Sequence, residues 1–123
     1  MFCPVPLPFD IADQTCRTHG LRLARVDSQD VGWVLDRASA LNLGHHFIGA
    51  SDEAGEGQWR WLDGELFWVG RNDGMPAYDG AFEHWAEFEP NGLVGENCVV
   101  VLPDGHWNDV ICDMPHGYVC KAY

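Results

Sequence analysis

Basic side chains are scarce in this sequence: seven Lys and Arg stand against nineteen Asp and Glu, leaving a formal net charge of −12. Nucleic-acid binding needs clustered cations to displace counterions, and anionic membrane surfaces attract the same clusters, so both partner classes are excluded. Long apolar runs are also missing. No stretch approaches the roughly 18–20 residues that span a bilayer, which excludes membrane insertion. No pair of cysteines has the CxxC spacing of a zinc or thioredoxin-like site. The chain has no internal repeat, no low-complexity tract and no linker. Cations and neutral polar molecules are the partners that this balance leaves open.

What is present argues for a folded core. Hydrophobic residues make up 46% of the 123 residues and include six Trp, enough apolar surface to offset the entropy of folding. The length is that of one domain, 1–123, with residues 1–9 as a proline-rich lead-in. That lead-in, Met-Phe-Cys-Pro-Val-Pro-Leu-Pro, has neither the basic nor the apolar region of a signal peptide, so an extracellular chain with this start is expected to have lost one already. The cysteine separations Cys98 to Cys112 and Cys16 to Cys120 read as staples, one local and one tying the two ends together. Staples imply an oxidising, secreted or cell-surface setting. Cys3 is left over: a free thiol, an inter-chain bridge, or half of a pair with a partner beyond this sequence.

Two helices are expected first. Ile11, Ala12, Thr15 and Cys16 fall at helical spacing before Gly20, and Val31, Val34, Leu35, Ala38 and Leu41 form an apolar face behind a cap at Asp27 or Ser28, with 42–44 ending it. Leu21, Leu23 and Val26 suggest a short strand between them. Phe47–Ala50, Gln58–Leu62 and Leu66–Trp68 read as strands, with Asp63-Gly64 as a turn. Cys98–Leu102, Gly105–Trp107 and Tyr118–Cys120 are three more. Residues 70–96 read as a long loop; loops of that length in compact domains are generally either functional or disordered, and Tyr78, Phe82, Trp85 and Phe88 favour ordered and functional. The fold class is α+β, two helices packed on small antiparallel sheets.

Chemistry concentrates in two clusters: Glu89-Pro90-Asn91 followed by Glu96, and Trp107-Asn108-Asp109. Calcium takes six to eight oxygen ligands, mixing carboxylates with amide and main-chain carbonyls. Glu89, Asn91, Glu96, Asn108 and Asp109 supply five such side chains. Either cluster alone reads more readily as turn chemistry than as a metal site. A disulfide-spaced pair, Cys98 and Cys112, gives them a reason to converge. The histidines His45, His46, His84, His106 and His116 match no zinc-ligand spacing, and Trp59, Trp61, Trp68, Trp85 and Trp107 read as core. Paired carboxylates such as Glu87 and Glu89 come without an acid/base constellation, so no catalytic residue is assigned and the chain is not expected to be an enzyme.

The order Cys16, Phe47-Ile48-Gly49-Ala50, Trp59-Arg60-Trp61-Leu62-Asp63-Gly64, Trp85, Glu89-Pro90-Asn91, Glu96-Asn97-Cys98, Trp107-Asn108-Asp109, Cys112, Cys120 resembles the C-type lectin domain over about residues 10–122. The resemblance implies a double-loop domain with a long ligand-binding loop, disulfides Cys16–Cys120 and Cys98–Cys112, and a cis peptide before Pro90. It implies a Ca²⁺ cofactor on Glu89, Asn91, Glu96, Asn108 and Asp109, with the Asp109 main-chain carbonyl as a further ligand. The same five side chains would bind sugar, because two vicinal hydroxyls complete the coordination of the ion in this family. The Glu-Pro-Asn order resembles the branch that selects mannose, fucose or N-acetylglucosamine, whereas the galactose branch carries Gln-Pro-Asp. A second calcium site of some relatives would use Asp52, Glu56, Gly92, Glu96 and Asn97, but Gly92 has no side-chain oxygen and Asn97 has lost a charge. Leu93 and Val94 are expected as an exposed apolar pair touching ligand, partner or only the loop itself. The expected partners are glycans, with homo-oligomers as a route to avidity. The alternative is a C-type lectin-like domain that binds protein, or ice as in unusual relatives, with calcium purely structural.

Overall fold

The computed structural model describes residues 1–41, 44–92 and 95–123, so the expected helix end at 42–43 and the pair Leu93–Val94 lie outside the described residues. Nine strands and two helices follow in chain order: β1 (Phe2–Leu7), α1 (Phe9–Thr18), β2 (Arg22–Leu23), α2 (Val31–Leu41), β3 (His46–Ser51), β4 (Gln58–Trp61), β5 (Leu66–Val69), β6 (Met75–Pro76), β7 (Cys98–Val101), β8 (Trp107–Val110) and β9 (His116–Lys121).

The proline-rich lead-in is a true strand. It pairs antiparallel with β9, Phe2 opposite Val119 and Cys3 opposite Tyr118, so both chain ends lie on one side of the sheet. Cys16 on α1 is bonded to Cys120 on β9, with a Cα–Cα distance of 5.6 Å, which clamps the first helix onto that strand. The strand pairing is mostly antiparallel, as expected, with one parallel pair among the described strands. β3 runs parallel to β9 at His46 and Phe47, while its other pairings, with β4 and β7, are antiparallel. β3 thereby joins the terminal strands to the β7–β8 hairpin.

Helix α1 differs from its expected face, and in α2 the expected face residue Leu35 is exposed. In α1, Phe9, Ala12, Asp13 and Cys16 are buried, whereas Ile11 points outward. Asp13 is inside because it accepts hydrogen bonds from Arg17, Arg22 and the Leu23 amide (3.0 Å), and so ties α1 to β2. Before α2 the chain makes a single 3-10 turn, Ser28–Asp30; the Asp27 amide donates to Asp30 Oδ2 at 2.9 Å, closing a capping box.

The core is rich in aromatic rings. Trp59, Trp61, Phe67, Trp68, Trp85 and Trp107 pack together with Val34, Ile48, Val99 and Val101, so the five Trp read as core are buried. Trp107 sits edge-on to Trp61 (5.5 Å), Trp85 (5.8 Å) and Phe67 (5.9 Å). Edge-to-face contacts of this kind fix ring positions as well as burying area. They anchor the first residue of β8.

Candidate functional site

That anchor decides where the two acidic clusters go. The β7–β8 hairpin sets Val99 opposite Asp109 and Val100 opposite Asn108, and Cys98–Cys112 closes its open end at a Cα–Cα distance of 5.2 Å. Asn108 and Asp109 are therefore strand residues and not part of a loop, contrary to the expectation from their turn-forming side chains. Trp107 bonds the other cluster's lead-in: its amide donates to the His84 carbonyl (2.9 Å) and its carbonyl accepts from the Ala86 amide (2.9 Å). Residues 84–86 thus run beside the start of β8 and deliver Glu89-Pro90-Asn91 to the strand. The Glu89–Pro90 bond is cis.

Asp109, fully buried, holds the delivered segment. Its Oδ1 accepts the Asn91 amide at 3.1 Å and its Oδ2 the Gly92 amide at 3.0 Å, while Glu89 Oε1 also accepts from the Asn91 amide at 3.0 Å. Glu89, Asn91, Glu96 and Asn108 around it are half-buried. Burial, followed by repulsion from Asp109, pushes the Glu89 carboxyl up to about 7; the same two causes in the same order raise Glu96. Glu96 Oε1 and Asn108 Oδ1 are buried and have no hydrogen-bond partner among the described residues.

These features fit a hard cation. All donors are oxygens, the carboxylates repel one another, and two oxygens lack a proton donor where burial makes that expensive. Among the described residues, the trio of His, Cys, Asp or Glu whose ligand atoms all lie within 4.8 Å is Glu53, Cys98 and Cys112, and its sulfurs are already joined in a disulfide. Glu89, Glu96 and Asp109 form a wider arrangement than that, and closing on an ion at about 2.3–2.6 Å per ligand requires their side chains to turn inward. The histidines pair as His45 with His116 (ring centroids 5.6 Å apart) and His84 with His106 (4.2 Å), neither of which belongs to that trio.

The second cluster considered from sequence is only partly assembled. Asp52 is buried, its Oδ2 accepts from the Gly57 amide (2.9 Å) and its own amide donates to the Asn97 carbonyl (3.0 Å). Burial first, offset by the Gly57 bond, and then Glu56 push its carboxyl up to about 7. Gly92, however, has φ +67, and a Cβ there would stand 2.8 Å from Arg71 Cγ. The Arg71 side chain fills the space that a ligating side chain at position 92 would need. Sequence reasoning missed Arg71, which no local pattern marks. It read Phe88, the residue before Glu89, only as a ring ordering the loop, whereas that ring is exposed.

The model of the Lectin C-type domain family matches residues 5–122. The chain belongs to the C-type lectin domain family. This C-type lectin domain is 31% identical over 122 residues to asialoglycoprotein receptor 1 of Rattus norvegicus, covering 94% of the chain and 37% of the relative. It is 32% identical over 119 residues to C-type lectin domain family 4 member F of Mus musculus, covering 93% and 19%. The chain thus spans well under half the length of these curated relatives. Among solved structures it resembles the cow C-type carbohydrate-recognition domain of CD23, crystallised in the presence of a GlcNAc2Man3 oligosaccharide, with TM-score 0.79 and 28% identity over 99% of this chain and 85% of that one. Herring type II antifreeze protein shares the fold at TM-score 0.76 and 24% identity, covering 100% and 89%. Domains of this family are binding modules, generally for carbohydrate and generally with calcium, although a calcium-independent type II antifreeze protein also has this fold. Among the described residues no helix is long and apolar enough to cross a membrane.

Proposed function

We propose that this C-type lectin domain binds carbohydrate in a calcium-dependent manner through Glu89, Asn91, Glu96, Asn108 and Asp109. The observation that carries the reading is that Asp109 accepts the Asn91 and Gly92 amides while Glu89 and Glu96, raised first by burial, lie close enough for its charge to raise them further, with Glu96 Oε1 and Asn108 Oδ1 buried and unpaired. When bound, Ca²⁺ supplies the positive centre on which two vicinal sugar hydroxyls are coordinated. Asp109 holds the 89–92 segment in place through its two backbone bonds. Glu89 and Glu96 accept from the hydroxyls and the Asn91 and Asn108 amides donate to them, so each hydroxyl both gives and receives a hydrogen bond. The step needs no proton transfer and no nucleophile, which fits a binding module and not a catalyst.

Acid at position 89 and amide at position 91 set the donor–acceptor order, and we assign that order to mannose-, fucose- or N-acetylglucosamine-type hydroxyl pairs. The two disulfides fit an extracellular setting. Isothermal titration with methyl mannoside, fucose and galactose, each in calcium and in EDTA, tests both parts. Calcium-dependent heat with mannose or fucose is expected. Heat with galactose alone overturns the assignment of the hydroxyl pair, and calcium binding without any sugar response replaces the lectin with a protein-interaction domain.

A further inference from the structure

The most exposed large apolar side chain among the described residues is Phe88, at 73%. It immediately precedes Glu89, and it is also the non-glycine residue with positive φ, +66. These two properties are independent and both unfavourable. Aromatic rings gain most by burial, as Phe82 shows six residues earlier by packing edge-on to Trp107 at 5.9 Å. Positive φ brings Cβ against the backbone, so this region suits Gly and tolerates Asn or Asp, not Phe.

The local backbone explains the φ value. The Glu89 amide donates to the Ala86 carbonyl at 3.0 Å, closing a four-residue turn with Phe88 at its third position, where a type II turn demands positive φ. The Ala86 amide is itself bonded to the Trp107 carbonyl, so the turn is fixed to the strand that carries Asn108 and Asp109. A glycine would satisfy the turn with less strain and remove an apolar ring from water. Strain and exposure retained together, on a rigid frame beside a binding site, point to a role in that site.

We propose that Phe88 is a specificity-determining residue: its ring packs against an apolar, preferably aromatic, aglycone attached to the sugar held at Glu89 and its neighbours. This rests on the carbohydrate reading above. Phe88 directly precedes Glu89 in the chain, and its turn is bonded through Ala86 to the Trp107 carbonyl, at the start of the strand that carries Asn108 and Asp109. An exposed ring gains by covering apolar surface, and a flat hydrocarbon aglycone offers more of it than the C–H face of a single sugar ring.

The test compares methyl with 4-nitrophenyl glycosides of mannose and of galactose by titration in calcium, on the native chain and on Phe88→Gly, Phe88→Ala and Phe88→Trp. The native chain is expected to favour the aromatic glycoside about five- to tenfold, an effect of the size single aromatic contacts give. Phe88→Gly and Phe88→Ala should bring that ratio to about one, and Phe88→Trp should keep it. Phe88→Gly should melt no lower than the native chain and above Phe88→Ala, which shows that the lost preference is not lost folding. A native ratio near one, or a ratio unchanged in both truncations, overturns the role of Phe88 and leaves the lectin reading standing. No calcium-dependent heat with any of the four glycosides overturns both.

Discussion

Replacing Asp13 with Asn should destabilise this domain more than any surface charge change, and the structure gives the size. The Asp13 carboxylate is 3% exposed and accepts from three groups: Arg17 on its own helix, Arg22 on β2 and the buried Leu23 amide. The Arg17 side chain is 60% exposed, so that i,i+4 pair contributes about 0.5 kcal/mol. Arg22 is better screened from water and meets both carboxylate oxygens, at 3.1 and 3.0 Å, for about 1 kcal/mol. The Leu23 amide has no water to fall back on, and its bond to a charged acceptor contributes about 1.5 kcal/mol. The Asp13→Asn side chain keeps one acceptor and loses the charge, so a loss of about 2 kcal/mol is expected, rising to about 3 kcal/mol for Asp13→Ala, which leaves the Leu23 amide unpaired. The pH dependence carries an independent signature. Burial alone would raise the Asp13 carboxyl, but the bonds from Arg22, Leu23 and Arg17 outweigh it and hold the group below its ordinary 3.8. A depressed native value means stability that is present above the unfolded value and lost as pH falls through the folded one. Guanidinium unfolding of the oxidised protein at neutral pH and in steps down to about pH 2 measures both quantities. The native and Asp13→Asn curves should be separated at neutral pH and converge in acid. A neutral-pH difference below about 0.5 kcal/mol, the size of a surface change, would overturn this account of Asp13, as would a gap that persists undiminished in acid.

Two further outcomes bear on the proposed calcium site. Asn108→Asp retains an oxygen for the ion and removes the amide donor to the sugar, so sugar affinity should fall by more than calcium affinity; parallel titrations giving equal losses would count against direct sugar coordination. Glu89, at about 7 without the ion, should release a proton when calcium binds, and apparent calcium affinity should drop by up to about tenfold per pH unit below that value. In the calcium-free chain the same raised value has the opposite sign to Asp13: its contribution to stability is full below the unfolded carboxyl value and is lost as pH rises through about 7. Calcium titrations between about pH 5 and 8 in buffers of different ionisation heat would show both, and flat affinity would exclude Glu89 as a ligand.

Much of this domain is determined by the sequence alone, because the signals are local or covalent. Cysteine separations and the Trp-rich strand segments are readable along the chain, whereas the cis bond before Pro90 is implied only by the resemblance to the C-type lectin domain; the two disulfides, the buried Trp residues and the cis bond are all found in the structure. Helical spacing located α1, yet it could not tell that Asp13 is buried and Ile11 exposed, because the partners of Asp13 lie on β2 and on the next helical turn. Alternation of burial along β8 likewise overrode the turn preference of Asn108 and Asp109: pairing with Val100 and Val99 holds them extended. The site depends on contacts distant in sequence, such as the Asp109 carboxylate meeting the Asn91 and Gly92 amides, and these exist only once Trp107 is packed against Trp61, Trp85 and Phe67. Phe88 is the extreme case. Its apolar ring reads along the chain as one more aromatic ordering the loop, but the turn that forces its φ positive and leaves that ring in water is set by hydrogen bonds to a strand some twenty residues away.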